Sequence, residues 1–344
     1  MLIVMKKEHT PAQLDQVKLN VEKFSCEPIM LKGQFKVTIN VLGDDTKIDP
    51  NLFRQLEGVE DVIRVGAPFR LASRDFKKED SFVTVRGVTF GPGHFVIMGG
   101  PCAVESADQT FRIARAVKKA GASVLRGGAF KPRTSPYAFH GMGEDGLKIL
   151  RDVSQETGLP VITEALDMKS LDLVYKYGDI IQIGTRNMQN FSLLREVGKL
   201  DKPVMVKRGM SATIDEWLLA AEYVLAGGNH QVMLCERGIR SFDARYTRNV
   251  IDLGAIPVVK ALTHLPVVVD PSHGSGRKDN VIPMALASLA VGAHSILVDV
   301  HDEAAKALCD GPQALTPDEF SGLVDRCMKI GQVMDLKIID NRKK

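Results

Sequence analysis

Three residue types that often bind metals follow short apolar segments of this sequence. Cys102 follows the run FVIMGG, His273 follows LPVVVD, and Asp299 lies within SILVDV. Each run is typical of a buried strand, so a thiol, an imidazole and a carboxylate come from strand ends far apart in the chain. Soft and hard ligands that converge in this way are typical of a divalent metal with an open coordination position. The pattern predicts a metal site on a long parallel sheet.

Positively charged side chains stand at other strand ends, where an apolar residue would be expected. They are Arg126, Arg186, Lys207 and Arg237, and Lys131 and Arg133 follow close behind the first of them. Burying several like charges together costs free energy unless an anion neutralises them. Guanidinium groups and a lysine ammonium suit phosphate and carboxylate. We therefore expect a small, highly anionic substrate with more than one phosphate group.

The chain from residue 95 onward repeats a pattern of apolar strand, loop and helix. The eight runs are FVIMGGP, SVLRGGA, PVITEA, DIIQIG, PVMVKRG, QVMLCERG, LPVVVD and SILVDV, with helical stretches such as 107–120, 143–157 and 213–226 between them. Strands rich in Val, Ile and Leu without alternation are buried on both faces. Eight such units in about 240 residues predict a (β/α)8 TIM barrel, whose active sites lie at the carboxyl ends of the strands. A doubly wound open sheet is the weaker alternative.

Residues 1–66 have a different pattern, β-α-β-β-α-β. A strand LIVMK precedes a helix with Thr10 as N-cap and Pro11 at its first position. The alternating runs EPIMLKG and FKVTINVLG predict a hairpin, and a short helix at 50–56 precedes the strand VEDVIRV. This order predicts a small ferredoxin-like α+β domain. We expect residues 67–94 to form a linker and a hairpin that caps the barrel, and residues 95–338 to form the barrel.

The composition limits the classes of function. Hydrophobic residues make up 44% and charged residues 25% of the 344, and the net charge is +3. This charge is too small to indicate a nucleic-acid or membrane partner. The five cysteines are scattered, which favours a reducing compartment over a disulfide framework. Without a signal-peptide pattern, or a run near the roughly 18 apolar residues of a membrane helix, we expect a cytoplasmic protein.

Longer motifs resemble a known family. They are GGPCAVES, VLRGGAFKPRTSPYAF, TEALD, IIQIGTRNMQN, VMVKRGM, LCERGIRSF, VDPSHGSGR and the tail from VDVH to ALCDG. Together they resemble 3-deoxy-D-arabino-heptulosonate 7-phosphate (DAHP) synthase over residues 95–335, and residues 1–66 resemble the regulatory domain of its type Iβ subgroup. The resemblance implies condensation of phosphoenolpyruvate with erythrose 4-phosphate and water to give DAHP and phosphate, the first step of the shikimate pathway.

The resemblance also implies roles for individual residues. The implied metal ligands are Cys102, His273, Asp299 and Asp310. The implied phosphoenolpyruvate-binding residues are Arg126, Lys131, Glu164, Arg186, Lys207 and Arg237. The implied erythrose 4-phosphate-binding residues are Arg133, Thr134, Ser135 and Asp310. We expect Lys131, Cys102 and His273 to take part in catalysis, with Lys131 or a metal-bound water as the proton carrier. Manganese is the expected ion, and iron, cobalt, zinc and cadmium also suit these ligand types.

One predicted ligand departs from the family pattern. The family usually has Glu where this chain has Asp299, so the carboxylate is one methylene short. Aspartate still donates oxygen and suits Mn²⁺ or another hard divalent ion. We expect weaker metal affinity and retained activity.

Two other functions are considered. The first is 3-deoxy-D-manno-octulosonate 8-phosphate synthase, but its lysine motif typically reads KANRSS, whereas residues 131–135 read KPRTS. The second is a catalytically weak barrel that serves as an amino-acid sensor, for which the small domain and Asp299 are the support. Among the remaining cysteines, Cys235 is expected to pack in the core, and Cys309 has no assigned role.

The small domain is either a packing or oligomerisation module or a regulatory one. The resemblance implies that an aromatic amino acid, Tyr or Phe, binds between the small domains of neighbouring subunits and obstructs the barrel mouth. It also implies a homotetramer whose pathway end product inhibits the enzyme.

Overall fold

The computed structural model describes residues 1–32, 36–45, 48–64, 68–339 and 341–343. The chain divides into two compact units, Met1–Arg70 and Leu71–Lys344. Among the described residues, no helix combines the length and the apolar character that a membrane crossing requires.

The first unit is an antiparallel sheet of four strands with two helices. Its elements are β1 (Leu2–Met5), α1 (Pro11–Glu22), β2 (Glu27–Lys32), β3 (Val37–Leu42), α2 (Pro50–Arg54) and β4 (Val59–Ile63). The strand order β2-β3-β1-β4 is that of a ferredoxin-like fold, which confirms the predicted class. Helix α1 begins as predicted, because Thr10 and Gln13 form a reciprocal capping box ahead of Pro11. The core includes Ile39 and Phe53.

The second unit contains a barrel of eight parallel strands that alternate with helices, together with three short additional strands. Its strands are β5 (Val83–Val85), β6 (Val88–Phe90), β7 (His94–Gly100), β8 (Val124–Arg126), β9 (Val161–Ala165), β10 (Ile180–Ile183), β11 (Val204–Lys207), β12 (Val232–Glu236), β13 (Val267–Val269), β14 (Ser295–Asp299) and β15 (Lys337–Ile338). Its α-helices are α3 (Ala107–Ala120), α4 (Glu144–Thr157), α5 (Met168–Tyr177), α6 (Phe191–Val197), α7 (Ile214–Ala226), α8 (Ala255–Leu262), α9 (Pro271–Ser275), α10 (Lys278–Ala290) and α11 (Pro317–Val333). Short 3₁₀ helices span Thr185–Asn187, Ala304–Lys306, Gly311–Gln313 and Asn341–Lys343.

Strands β7 to β14 close into a barrel. Each pairs in parallel with the next along the chain, and β14 pairs with β7 from Ser295 opposite Val96 to Asp299 opposite Gly100. The closed sheet confirms the predicted TIM barrel and excludes the open doubly wound sheet. Because all eight strands run the same way, their carboxyl ends share one rim, and side chains at those ends face a common space.

The barrel interior is apolar toward the amino ends of the strands. Met98, Val124 and Met233 belong to one buried cluster together with Val83 and Phe90 of the β5–β6 hairpin. The segment predicted as a linker is held within this unit, because the Glu222 carboxylate accepts hydrogen bonds from the backbone of residues 71 and 72 at 2.8 Å. Apolar side chains therefore fill the amino-terminal end of the barrel. The polar and charged side chains of the predicted site lie at the carboxyl-terminal end.

Candidate active site

A basic cleft lies at the carboxyl rim of the barrel. Arg126 and Lys207 are the last residues of β8 and β11, and Arg237 directly follows β12. The cleft contains about 630 Å³ of space, part of it open solvent. It is lined by Arg126, Lys131, Pro132, Arg133, Glu164, Gln182, Gly184, Thr185, Arg186, Lys207, Met210, Arg237, Arg248, His273 and Asp310. The fold thus gathers all six cations that the sequence singles out, together with Glu164, His273 and Asp310.

Cys102, His273 and Asp310 meet beside this cleft. The Cys102 Sγ atom lies 3.7 Å from His273 Nε2 and 3.3 Å from Asp310 Oδ2. His273 Nε2 lies 3.5 Å from Asp310 Oδ2. Asp310 has a φ of +52°, a left-handed conformation that Asp tolerates better than most residues. A thiol, an imidazole and a carboxylate at these separations fit a divalent ion, so the donor set passes the chemical test for a metal site.

Asp299 lies next to this group but is engaged elsewhere. Its Oδ1 atom forms a buried ion pair with Arg126 Nη1 at 2.9 Å, and its Oδ2 atom accepts a hydrogen bond from Gln313 Nε2 at 2.7 Å. Its carboxylate faces the Nδ1 atom of His273, at 3.6 Å, rather than Nε2. Donor atoms of Cys102, His273 and Asp299 still lie within 4.8 Å of one another. The short side chain therefore reaches the group, with Oδ2 hydrogen-bonded to Gln313 and Oδ1 in an ion pair that lacks hydrogen-bond geometry.

Asp270 holds two of the site residues, and sequence reasoning does not assign it a role. Its Oδ2 atom accepts a hydrogen bond from Lys207 Nζ at 2.5 Å and lies 2.8 Å from His273 Nδ1. Its Oδ1 atom accepts from the His273 backbone at the start of α9. Because Nδ1 faces Asp270, the Nε2 atom of His273 is turned toward Cys102. The available sequence signal is an acidic residue directly ahead of Pro-Ser-His, which predicts only an N-cap.

The charges around this group shift its titration. Burial opposes a charged imidazole, but the carboxylates of Asp270 and Asp299 outweigh it and raise the pKa of His273 well above its usual range. Burial likewise opposes a charged Asp310, but the hydrogen bond and charge of His273 lower the pKa of that carboxyl group. The hydrogen bond to Cys309, followed by burial, raises the pKa of Cys102. In the metal-free protein the thiol is therefore protonated at neutral pH, and an ion must displace its proton.

Lys131 places a buried ammonium against the thiol. Its Nζ atom lies 3.1 Å from both the Sγ atom and the carbonyl oxygen of Cys102. Burial opposes this charge, but Cys102, Cys309 and Glu164 outweigh it and raise the pKa of Lys131. The side chain therefore carries its proton at neutral pH and is placed to deliver it inside the cleft.

Arg186 and Arg237 are among the four cleft cations that have no carboxylate within ion-pair distance in the part of the chain that the structure describes. Arg237 is buried, and its Nη1 atom donates a long hydrogen bond of 3.4 Å to the Gly238 carbonyl oxygen. Burial lowers the pKa of Arg237, which indicates that its charge lacks full compensation. Arg186 lines the same cleft from the 3₁₀ helix after β10. An incoming anion would complete the environment of both guanidinium groups.

The remaining predicted residues lie at different depths. Glu164 lines the cleft and accepts a hydrogen bond from Gln182 at 3.1 Å. Arg133 lines it as well and donates to the carbonyl oxygens of Phe139 and Leu308 at 3.1 and 3.0 Å. Thr134 and Ser135 are exposed and are not among the lining residues. The structure therefore brings Arg133 to the cleft and leaves the next two residues of the predicted motif on the outer loop.

Two further residues near the cleft carry no strong sequence signal. Arg248 donates to Asp310 Oδ1 at 3.2 Å and adds a seventh cation to the lining. Cys309 places its Sγ atom 3.4 Å from that of Cys102. Cys235, the penultimate residue of β12, packs in the barrel core as expected. Strand-end position identifies Cys235 but not Cys309, which lies in a loop.

The fold and the cleft together define a class. A closed parallel barrel with a basic pocket and a thiol–imidazole–carboxylate group at its carboxyl rim is typical of a barrel enzyme that acts on small anionic substrates.

Comparison with known proteins identifies the family. The family model for the DAHP synthetase I family matches residues 74–334, and that for the DAHP synthase ferredoxin-like domain matches residues 1–67. The chain belongs to the DAHP synthetase I family, and the membership predicted from its motifs is confirmed.

Individual relatives agree with this membership. A phospho-2-dehydro-3-deoxyheptonate aldolase of Thermotoga maritima is 44% identical over 98% of this chain and 100% of its own length. The crystal structure of a DAHP synthase from the same organism has a TM-score of 0.93 over 98% of both chains, at 44% identity. A 2-dehydro-3-deoxyphosphooctonate aldolase of Syntrophobacter fumaroxidans is 31% identical over 73% of this chain and 92% of its own length.

Proposed function

We propose that this enzyme condenses phosphoenolpyruvate with erythrose 4-phosphate and water to give DAHP and phosphate. The observation that carries the proposal is the seven-cation cleft directly beside Cys102, His273 and Asp310. Each substrate brings a phosphate group, and phosphoenolpyruvate also brings a carboxylate, so their combined negative charge matches the lining. The name of the Thermotoga maritima relative supports the same assignment.

In this proposal Cys102, His273 and Asp310, with Asp299 beside them, hold a divalent metal, and manganese is the expected ion. The bound ion supplies Lewis-acid polarisation of the aldehyde oxygen of erythrose 4-phosphate. Arg186, Lys207 and Arg237 bind the phosphate and carboxylate of phosphoenolpyruvate. Fixing these groups holds the enol carbon in position to attack the aldehyde, which converts a bimolecular reaction into an effectively intramolecular one.

Proton transfer is assigned to Lys131. Its ammonium group is buried, charged and in contact with Cys102. When the new carbon–carbon bond forms, the aldehyde oxygen gains negative charge and needs a proton, which Lys131 Nζ donates. Water then adds at the cationic C2 of the former phosphoenolpyruvate and returns its proton to Lys131, and the resulting phosphohemiketal breaks its C2–O bond to phosphate, which carries away the proton of the C2 hydroxyl. Arg133 binds erythrose 4-phosphate at the other side of the cleft.

Metal removal is the direct test of this function. We expect chelator-treated protein to release little phosphate from the two substrates and to recover release when Mn²⁺ is added. The reason is that the aldehyde is a weak electrophile without a Lewis acid. Phosphate release is measured with both substrates, with each substrate alone, and with Cys102→Ser as a control that should not recover.

The same assay separates the competing functions. Preferential use of arabinose 5-phosphate over erythrose 4-phosphate would assign the chain to octulosonate 8-phosphate synthesis instead. Absence of phosphate release with every divalent ion, together with tight binding of tyrosine or phenylalanine, would assign it to the sensor function.

Regulation is proposed for the first unit, Met1–Arg70, in a homotetramer. Its support is the match of residues 1–67 to the DAHP synthase ferredoxin-like domain. We expect tyrosine or phenylalanine to inhibit the full chain, and residues 71–344 alone to retain turnover without inhibition. A truncated DAHP synthase from Thermotoga maritima has been solved and matches 78% of this chain with a TM-score of 0.73, which makes the shortened protein a reasonable reagent. Phosphate release is measured for both proteins at increasing concentrations of each amino acid. Unchanged inhibition after the deletion would refute the regulatory role of the first unit.

A further inference from the structure

The loop that carries Asp310 brings a second thiol to the proposed metal site. Cys309 Sγ lies 3.4 Å from Cys102 Sγ and 3.5 Å from Asp310 Oδ2. Both sulfur atoms are buried and belong to one small cluster that also contains Ala103. Cys102, Cys309 and Asp310 each offer a donor atom within 4.8 Å of the others. The mechanism proposed above gives Cys309 no part.

Five donor-to-donor distances at the site match those around a four-coordinate ion. A tetrahedral ion with bonds of about 2.0 to 2.3 Å has ligand-to-ligand edges of roughly 3.3 to 3.8 Å. Three edges among Cys102, His273 and Asp310 measure 3.7, 3.5 and 3.3 Å. The two edges from Cys309 measure 3.4 and 3.5 Å. These five of the six edges of a tetrahedron fall in the required range.

The loop is held in this position by contacts on both sides. The backbone N–H of Leu308 donates to Glu105 Oε1 at 2.8 Å, and its carbonyl oxygen accepts from Arg133 Nη2 at 3.0 Å. These bonds fix the peptide directly before Cys309. A thiol fixed this way needs little rearrangement to coordinate an ion.

Asp299 is a weaker competitor for the same coordination position. Its Oδ2 atom accepts a hydrogen bond from Gln313 at 2.7 Å, its Oδ1 atom lies 2.9 Å from Arg126 Nη1 without hydrogen-bond geometry, and it faces the Nδ1 side of His273. To bind the ion it would have to give up a buried ion pair, which is costly. Cys309 has only to lose its proton.

We propose that Cys309 is a ligand of the metal, together with Cys102, His273 and Asp310. This inference rests on the metal site of the proposed function and extends its ligand set. On binding, the two thiol protons and the Nε2 proton of the charged His273 ring leave to solvent, and two metal–sulfur bonds and one metal–nitrogen bond form with no change of oxidation state. Two thiolates and an imidazole favour thiophilic ions such as Zn²⁺ and Cd²⁺ over Mn²⁺. The site is therefore more selective for soft ions than a single-thiolate site.

The test is a Cd²⁺ titration of the full chain, freed of metal and kept reduced, with the ultraviolet thiolate-to-cadmium charge-transfer band as readout. Thiol counting first establishes that all five cysteines are free, because two thiols in contact can oxidise to a disulfide. We expect the wild-type band to correspond to two thiolates per ion, and Cys309→Ser to halve it. Cys327→Ser is the matched control, because Cys327 is equally buried in α11 and should leave the band intact.

Competition between ions gives a second readout. We expect Cys309→Ser to weaken Cd²⁺ binding about tenfold or more and Mn²⁺ binding much less. A wild-type band equal to that of Cys309→Ser would refute the role of Cys309 and leave the Cys102 site standing. No band and no Cd²⁺ binding in any variant would refute the metal site itself.

Discussion

Replacing Lys131 with methionine is expected to lower kcat for phosphate release about 10²- to 10⁴-fold. Methionine keeps the length and apolar stem of the side chain but removes the ammonium group that lies 3.1 Å from Cys102 Sγ. The developing negative charge on the aldehyde oxygen would then have no proton donor at that position. Steady-state phosphate release at saturating Mn²⁺ measures the effect.

Lys202→Met provides the control for removal of a partly buried lysine charge. Lys202 Nζ donates to the Gly178 carbonyl at 2.7 Å and is not among the residues that line the cleft. We expect this variant to lose some thermal stability and to keep its kcat. If Lys131→Met retained kcat within about threefold of wild type, the proton-transfer role would pass to another group, such as a metal-bound water.

Asp270→Asn is expected to weaken metal binding about 10- to 100-fold, although Asp270 does not belong to the proposed ligand set. The carboxylate supports His273 and Lys207 together, at 2.8 and 2.5 Å. An amide cannot balance those two cations, so the pKa of His273 should fall and its ring should lose its fixed orientation. Leaving a buried charge without its partner should also lower the free energy of unfolding by about 3 to 5 kcal/mol.

Two measurements separate positioning from a purely structural effect. Isothermal titration gives the Mn²⁺ dissociation constant, and urea unfolding of metal-free protein gives stability. Asp252→Asn is the matched control, because Asp252 pairs with the buried Arg208 at 2.9 Å and does not line the cleft. That variant should lose stability alone. Equal loss of stability in both variants with unchanged Mn²⁺ affinity in Asp270→Asn would contradict the positioning role.

Residues at strand ends could be located from the sequence because the barrel decides where they meet. Arg126 and Lys207 interrupt apolar runs that are otherwise buried, and the common direction of the strands brings them to one rim. The eight-fold repeat and the ferredoxin-like order were equally accessible, since both depend on local periodicity and short turns.

Residues whose role depends on side-chain contacts between distant segments could not be located in this way. Cys309 touches Cys102 across 207 residues, and no local pattern encodes that contact. The sequence around Asp270 predicts only a helix N-cap, which Asp270 also is, and gives no sign of its contacts with Lys207 and His273. Ser135, assigned through the family motif, lies on an exposed loop, since a motif specifies neighbours in sequence and not the depth of each side chain.

The seam between β14 and β7 has a consequence for how the protein is made. It joins the first and last strands of the barrel sequence. The site residues are equally distant in sequence, since His273 lies 171 positions and Asp310 208 positions after Cys102. Contacts of such separation form late in folding, because long loops must close first. A nascent chain shorter than 273 residues carries Cys102 without His273, and one shorter than 310 residues still lacks Asp310, so metal uptake should follow completion of the barrel.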